Sequence, residues 1–198
     1  MNNDETFRWV LVVGSLIVVP IAVYYRLRSQ ATGEKLDRRQ EGLFILFTLR
    51  PLGIAGMLGL IAYMINPKWM EWSSIAIPTW LRWLGVVVVG CSGILLVWTF
   101  RNLGQNLTDT VVTRRDHTLV TSGPYRYVRH PFYLAFALGI FGGSVAMANW
   151  FILLAGVFPF GFLVARTRIE EAKLLERFGV EYRDYMRRVG RFLPRFKL

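Results

Sequence analysis

The sequence predicts an all-α integral membrane protein with about five transmembrane helices and a C-terminal cytoplasmic amphipathic helical tail. Hydrophobic residues make up 54% of the 198 residues. They fall in blocks close to the ~20 helical residues that a bilayer crossing requires. The basic residues lie mainly between and after these blocks, in a pattern that gives the chain a single orientation in the membrane.

Five apolar blocks are the candidate spans. The fourth and fifth are joined at Ala148 and Asn149, where we expect a tight helical hairpin, and Pro159 is expected to kink or tilt the fifth span. The first block is interpreted as a retained span because its strong basic cluster follows it, the reverse of a signal peptide. The predicted boundaries are approximately residues 9–25, 42–65, 81–100, 131–148 and 149–165.

A structured tail is predicted after the fifth span. Apolar residues recur at helical spacing as far as Phe178, and Gly179 is a suitable C-terminal cap. A second short helix should follow, with Tyr182 and Tyr185 on its apolar face and Gly190 after it. We expect Tyr182 and Tyr185 to be packing residues rather than ligands. The tail's apolar side is typical of a helix lying on a membrane surface.

The positive charge is explained by membrane orientation rather than by nucleic acid. The net charge is +11, and 20 of the 24 basic residues fall in residues 26–39, 101–129 and 166–197, all on one side of a five-span protein. The N-terminus is therefore predicted to be external and the C-terminus cytoplasmic. The expected membrane is the inner or plasma membrane in a prokaryote, or the endoplasmic reticulum in a eukaryote. Anionic lipids are the expected partners of the basic tail.

Few residues of the chain could form a metal site or a disulfide. It has one cysteine, Cys91, and two histidines, His117 and His130. We expect no metal and no disulfide within one chain. Arg50 lies inside the second apolar block, where a charge costs a few kcal/mol, so either a paired functional role or snorkelling to the interface is open.

Chemistry-bearing residues are concentrated in two segments on the predicted cytoplasmic side. In the first, Pro131 begins the fourth span, so Arg129 and His130 lie at a helix N-terminus, which favours an anionic ligand group. The second segment contains Glu170 and Glu171 just after the fifth span. Because a tight hairpin joins these spans, the two segments should meet. Cations facing carboxylates would suit a zwitterionic ligand.

The C-terminal half carries a spaced pattern of residues. It consists of Gly123-x-Tyr125-x-x-x-Arg129-His130-Pro131-x-Tyr133, then Arg166-x-x-x-Glu170-Glu171, then Phe178-Gly179-x-x-Tyr182-x-x-Tyr185, and Pro194. With this pattern, residues 101–194 resemble the isoprenylcysteine carboxyl methyltransferase family. Phospholipid N-methyltransferases and some NADPH-dependent membrane sterol reductases have a similar C-terminal half.

The resemblance implies transfer of a methyl group from S-adenosylmethionine to a lipophilic acceptor, favoured to be the C-terminal carboxylate of an isoprenylcysteine-like molecule. The hydrocarbon chain of the acceptor would enter from the bilayer. Arg166 is the candidate for steering that carboxylate, and Glu171 or a tyrosine becomes a candidate base if the acceptor is an amine. The expected cofactor-binding residues are Leu119, Val120, Tyr125, Arg129, His130, Tyr133, Glu170 and Glu171.

Three other functions stay open at the level of sequence. They are a phospholipid N-methyltransferase, an NADPH-dependent membrane reductase of related fold, and a non-catalytic lipid-binding membrane protein. The sequence does not identify the methyl acceptor, the organism or the oligomeric state. It also leaves open which of Glu170 and Glu171 contacts the cofactor.

Overall fold

A computed structural model describes residues 3–30, 43–104 and 119–195. Its secondary structure is helical, and within these ranges β pairing is confined to two isolated bridges. The all-α prediction is therefore confirmed. The α-helices are α1 (Asn3–Gln30), α2 (Leu43–Ile65), α3 (Thr79–Leu103), α4 (Pro131–Met147) and α5 (Trp150–Arg188), with short 3₁₀ helices at Pro67–Ser73 and Gly123–Arg126.

The outer surface of the bundle is apolar, as a membrane protein requires. Large hydrophobic side chains such as Leu16 and Ile94 are about 70% exposed (69% and 72%). Three helices are long and apolar enough to cross a bilayer, at Asp4–Tyr25, Thr79–Leu103 and Trp150–Arg188. Two shorter apolar helices, Gly53–Ile65 and Pro131–Met147, accompany them. The count of five spans stays a prediction.

The five helices pack in the cyclic order α1, α3, α4, α5, α2. The most intimate pair is α3 and α4, because glycines let their backbones touch. A Cβ atom on Gly85 would lie 2.7 Å from the Gly142 carbonyl oxygen, and one on Gly142 would lie 2.9 Å from that of Gly85. Ser92 Oγ also donates to the Ala135 carbonyl oxygen at 2.8 Å. Small residues with an interhelical hydrogen bond are the usual means of association between membrane helices.

The α4–α5 hairpin is tight, as expected. Ala148 adopts the left-handed conformation (φ 52°) and ends α4. Asn149 begins α5 by accepting a hydrogen bond from the Ile152 N–H at 3.1 Å. Its Nδ2 donates to Met70 O at 3.1 Å and to Ser73 Oγ at 2.8 Å, which fastens the hairpin to the first 3₁₀ helix. We call this end of the bundle the hairpin end, and the opposite end, where residues 129–130 meet residues 170–171, the charged end.

Arg82 ties four helices together near the hairpin end. This buried side chain donates to Asp4 Oδ1 at 2.7 Å on α1, to Tyr63 OH at 3.2 Å on α2 and to Ala146 O at 3.0 Å on α4. Its guanidinium also lies 4.0 Å from the ring centroid of Phe7. A buried cation with several partners is costly to disturb, so Arg82 stabilises the arrangement of the helices.

The tail agrees with the prediction of a helix that ends at Gly179 and a second short helix after it. α5 is 39 residues long and carries Glu170 and Glu171, but it is kinked at Gly179 (φ 54°), the one residue within it that is not helical. Residues 180–188 therefore form a short second helix. The helix of the fifth apolar block continues past residue 165, and Pro159 lies within regular helix. The Arg50 side chain and His117 lie outside the described residues.

Candidate functional site

The charged end is assembled from the start of α4, the middle of α5 and the residues that follow α5. The Arg129 N–H donates to Gly190 O at 2.9 Å, and the His130 N–H donates to Arg191 O at 3.1 Å. A parallel bridge between Val128 and Gly190 continues this pairing. The segment after α5 is thereby held against the N-terminus of α4, and we call residues 189–195 the strap.

Glu171 is the most heavily contacted carboxylate of this end. Arg129 Nε lies 2.9 Å from its Oε1, His130 Nε2 lies 3.2 Å away, and Arg191 donates to it through both Nε and Nη2. The carboxylate side chain is only 5% exposed. Burial opposes its ionisation, but hydrogen bonds from His130, Arg191 and Arg129 outweigh burial and hold the pKa of Glu171 at about 2. The carboxylate is ionised and fully engaged with protein donors.

Arg129 also fixes the strap directly. Its Nη1 donates to Met186 O at 3.1 Å and to Val189 O at 2.6 Å. Arg129 therefore joins the mouth of α4 to the end of α5 while its Nε holds Glu171. The structure thus shows that two of its nitrogens already bind protein acceptors.

Glu170 has a different environment from its neighbour. Tyr133 OH donates to its Oε1 at 2.7 Å, Arg166 Nε lies 3.1 Å from the same oxygen, and His130 Nδ1 lies 3.8 Å from Oε2. Its side chain is 21% exposed, four times the exposed fraction of Glu171. Glu170 is therefore the more exposed of the two carboxylates.

The remaining predicted residues border this centre. Leu119 packs against the buried cluster of Tyr182, Tyr185 and Val189, and Val120 is half-buried. The Tyr125 carbonyl oxygen accepts a hydrogen bond from Tyr185 OH at 2.6 Å. Burial raises the pKa values of the Tyr125, Tyr182 and Tyr185 hydroxyls, so all three stay neutral. Tyr182 and Tyr185 are buried in this cluster, which agrees with the packing role expected of them.

Two residues of the strap contact the site, although the sequence analysis did not assign them to it. Arg191 binds Glu171, and the Phe192 ring centroid lies 5.8 Å from that of His130 and 6.5 Å from that of Tyr133. Gly190 was the available signal, because a glycine after a helix often marks a reversal of the chain. The direction of that reversal depends on tertiary packing.

A large apolar cavity lies within the ring of helices. It has a volume of about 1240 Å³ and all five helices line it, whereas small-molecule pockets are usually about 300–1,000 Å³. At the charged end its wall includes Arg101 and Phe132, and the Phe132 ring centroid is 5.9 Å from that of Tyr133. Ile17, Met57 and Ile94 line it and are exposed, so it reaches the apolar surface of the bundle.

Residues 83–176 match the sequence model of the isoprenylcysteine carboxyl methyltransferase family. This region contains most of α3, all of α4 and the part of α5 that carries Glu170 and Glu171. The strap lies outside the matched region.

Several curated proteins are similar to the chain. It is 33% identical over 129 residues to the protein-S-isoprenylcysteine O-methyltransferase of Mus musculus, a match that covers 64% of this chain and 46% of the mouse protein. The protein of the same name from Homo sapiens is 32% identical over 140 residues, with 66% of this chain and 49% of the human protein covered. The chain spans about half the length of the curated relatives it matches.

The fold is similar to a solved structure. The eukaryotic intramembrane Ras methyltransferase, an isoprenylcysteine carboxyl methyltransferase, superposes with a TM-score of 0.56 at 21% sequence identity. The match covers 94% of this chain and 72% of that one. At this level of identity the likeness concerns the fold.

Proposed function

We propose that this chain, which is similar to the isoprenylcysteine carboxyl methyltransferase family, transfers a methyl group from S-adenosylmethionine to the carboxylate of a lipophilic, isoprenylcysteine-like acceptor. The observation that carries the proposal is the position of the charged end at the mouth of the apolar cavity. A polar cofactor and an apolar acceptor chain can thus approach the same point from opposite sides. The relatives' shared name, protein-S-isoprenylcysteine O-methyltransferase, supports this acceptor class.

The residues of the charged end fit the proposed cofactor. When bound, S-adenosylmethionine supplies a methyl group carried on a positively charged sulfur, and its amino-acid portion has one carboxylate and one ammonium. Arg129 and His130, at the α4 N-terminus, are the proposed partners of the cofactor's carboxylate. Glu170 is the proposed partner of the ammonium or the ribose hydroxyls, because it has the more exposed carboxylate. Tyr125, Tyr133, Leu119 and Val120 border the same space.

Glu171 is proposed to act by positioning the binding residues. Its carboxylate holds Arg129 and His130 in place. A carboxylate with a pKa of about 2 accepts a proton poorly at neutral pH, so the geometry does not favour Glu171 as a general base. This argues against the amine-acceptor alternative, in which a proton must be removed.

A carboxylate acceptor needs no base at this site. It is already ionised at neutral pH, so the protein has to align the reacting groups and exclude water from them. Arg166, beside Glu170 on α5, is the proposed steering residue for the acceptor carboxylate. The apolar cavity is the proposed place of the acceptor chain, and its exposed lining offers an entrance from the bilayer.

The proposed orientation places the charged end in the cytoplasm and the N-terminus outside. Exposed arginines on the last turns of α5, among them Arg183, Arg187 and Arg188, support contact with anionic lipid headgroups. The corresponding membrane is the inner or plasma membrane in a prokaryote and the endoplasmic reticulum in a eukaryote. A reporter fused to each terminus tests this orientation, and it fails if both reporters respond on the same side.

The function is tested with purified protein in detergent. Radiolabelled S-adenosylmethionine and N-acetyl-S-farnesylcysteine should give a labelled methyl ester, and S-adenosylhomocysteine should raise the melting temperature, as a ligand selective for the folded state does. Glu170→Gln should weaken S-adenosylhomocysteine about ten- to a hundredfold, because a charge-assisted contact is lost. A melting shift with NADPH and none with S-adenosylhomocysteine would instead support a reductase.

A further inference from the structure

We propose that Gly14, Gly53 and Gly90 set the length of the acceptor chain by keeping the middle of the apolar cavity open. The inference rests on the proposed function, since it assigns the cavity to the acceptor's hydrocarbon chain. It concerns selectivity among chains, which the charged end does not determine. We call these three residues the cavity glycines.

The glycines of the apolar helices differ in what surrounds them. Gly85, Gly142 and Gly156 pack helix on helix, and a Cβ atom on any of them would come within 3.0 Å of a neighbouring helix. The cavity glycines differ, because a Cβ atom on Gly14, Gly53 or Gly90 meets nothing within 4 Å. Close packing therefore does not explain why these positions lack side chains.

All three cavity glycines line the cavity. They belong to α1, α2 and α3, and each lies near the middle of its helix. Larger residues line the cavity beyond them towards the hairpin end, among them Leu11, Met64 and Met147. The cavity is thus widened near the middle of the helices and continues beyond that point towards the hairpin end. It can therefore accommodate a hydrocarbon chain longer than half the length of the bundle.

The depth of the cavity glycines can be measured along α3. Arg101 lines the cavity at the charged end and Gly90 lies eleven residues earlier on the same helix. At 1.5 Å of rise per residue, this separation is about 16 Å. A chain that enters the cavity beside Arg101 must therefore extend about that distance before it meets Gly90. Short chains end before the cavity glycines and longer chains pass them.

A leucine at one of these positions should shorten the cavity without disturbing the fold. The new side chain would enter open space, and leucine is a better helix former than glycine. A hydrophobic site discriminates roughly ten- to two-hundredfold for each methylene that it accommodates or excludes. We therefore expect Gly90→Leu and Gly14→Leu to lower the ratio of kcat/KM for a geranylgeranyl acceptor to that for a geranyl acceptor at least roughly tenfold.

Gly161→Leu is the matched control. Gly161 is also in a membrane-embedded helix, is exposed and has nothing within 4 Å of an added Cβ atom, but it does not line the cavity. The same substitution there adds the same bulk on the lipid-facing side of α5. In Gly161→Leu, the ratio of kcat/KM for the geranylgeranyl acceptor to that for the geranyl acceptor should equal the wild-type ratio.

The experiment measures methyl transfer to N-acetyl-S-geranyl-, farnesyl- and geranylgeranylcysteine, and competitive binding of the same three compounds. An unchanged chain-length ratio in both cavity variants, or an equal fall in Gly161→Leu, would overturn the inference. If the wild type binds the compounds but transfers no methyl group, the proposed function fails, and the binding ratios alone then decide the inference. If the wild type transfers methyl groups with unaltered ratios in the variants, only the inference fails.

Discussion

Replacing Glu171 by glutamine should destabilise the protein more than any change to an exposed carboxylate of α5. The pKa of Glu171 falls from an ordinary value of 4.5 to about 2, which at about 1.4 kcal/mol for each pH unit amounts to roughly 3 kcal/mol of stabilisation at neutral pH. Removing one member of a buried ion pair costs about 3–5 kcal/mol for a related reason, since the other charges stay buried without compensation. The two arguments agree on the magnitude.

The physical cause is the loss of the anion that three groups share. Without a carboxylate at this position, Arg129, His130 and Arg191 face one another at the α4 N-terminus, and Arg191 is the partner best able to leave, because its side chain is 36% exposed. The strap should then loosen. For a chain of this length, about 2–4 °C accompanies each kcal/mol, so we expect the melting temperature to fall by roughly 6–12 °C.

Thermal unfolding of the detergent-purified protein measures this effect. Glu176→Gln is the control, because Glu176 lies on the same helix but is exposed, and its melting temperature should stay within about 1–2 °C of the wild type, as for most surface substitutions. Equal melting temperatures for the two variants would refute the role of Glu171 as the carboxylate that holds the strap in place. That role would also be refuted if protease cut the strap no faster in Glu171→Gln than in the wild type.

Three further outcomes follow from the same contacts. The difference in melting temperature between the wild type and Glu171→Gln should be constant above about pH 4.5 and should shrink as the pH falls towards 2. The reason is that a lowered pKa stabilises the fold only while the carboxylate is ionised. A constant difference down to pH 3 would contradict the assigned pKa. Tyr133→Phe removes the donor to Glu170 and should weaken S-adenosylhomocysteine roughly tenfold in a binding titration, whereas the exposed Tyr127→Phe should leave affinity unchanged. Arg82→Met should lower the melting temperature by several degrees, since buried acceptors lose their donor, and calorimetric titration should show the same cofactor affinity as the wild type.

The sequence was sufficient to predict that the two charged segments meet. Pro131 marks the start of α4, and the hairpin at Ala148 and Asn149 brings the start of α4 beside the middle of α5. These are local signals of helix start and chain reversal, so they can be recognised without knowledge of packing. The contact between Arg129 and Glu171 follows from them.

The strap could not be predicted in the same way. Arg191 belongs to a strongly basic tail, and orientation in the membrane accounts for basic residues there without any specific contact. Its pairing with Glu171 depends on where the chain turns after Val189 and on backbone hydrogen bonds to residues 129–130. Such pairing between segments distant in sequence leaves no periodic pattern. Hydropathy marks the limit of an apolar block and not the end of a helix, so the predicted span boundary at residue 165 does not coincide with an end of α5.

The adjacent carboxylates of α5 show how one helix can serve stability and binding at the same place. Successive residues of an α-helix point about 100° apart, so Glu170 and Glu171 necessarily face different surroundings. Glu171 points to the α4 mouth and the strap, where three donors enclose it. Glu170 points towards Tyr133 and the more accessible side, and Arg166, four residues earlier, lies on the same face. A single carboxylate could not do both, because one that neutralises the buried cations has no oxygen left for a ligand. In the proposed site the pair therefore separates the two tasks, with Glu171 holding the surrounding side chains together and Glu170 as the proposed ligand contact.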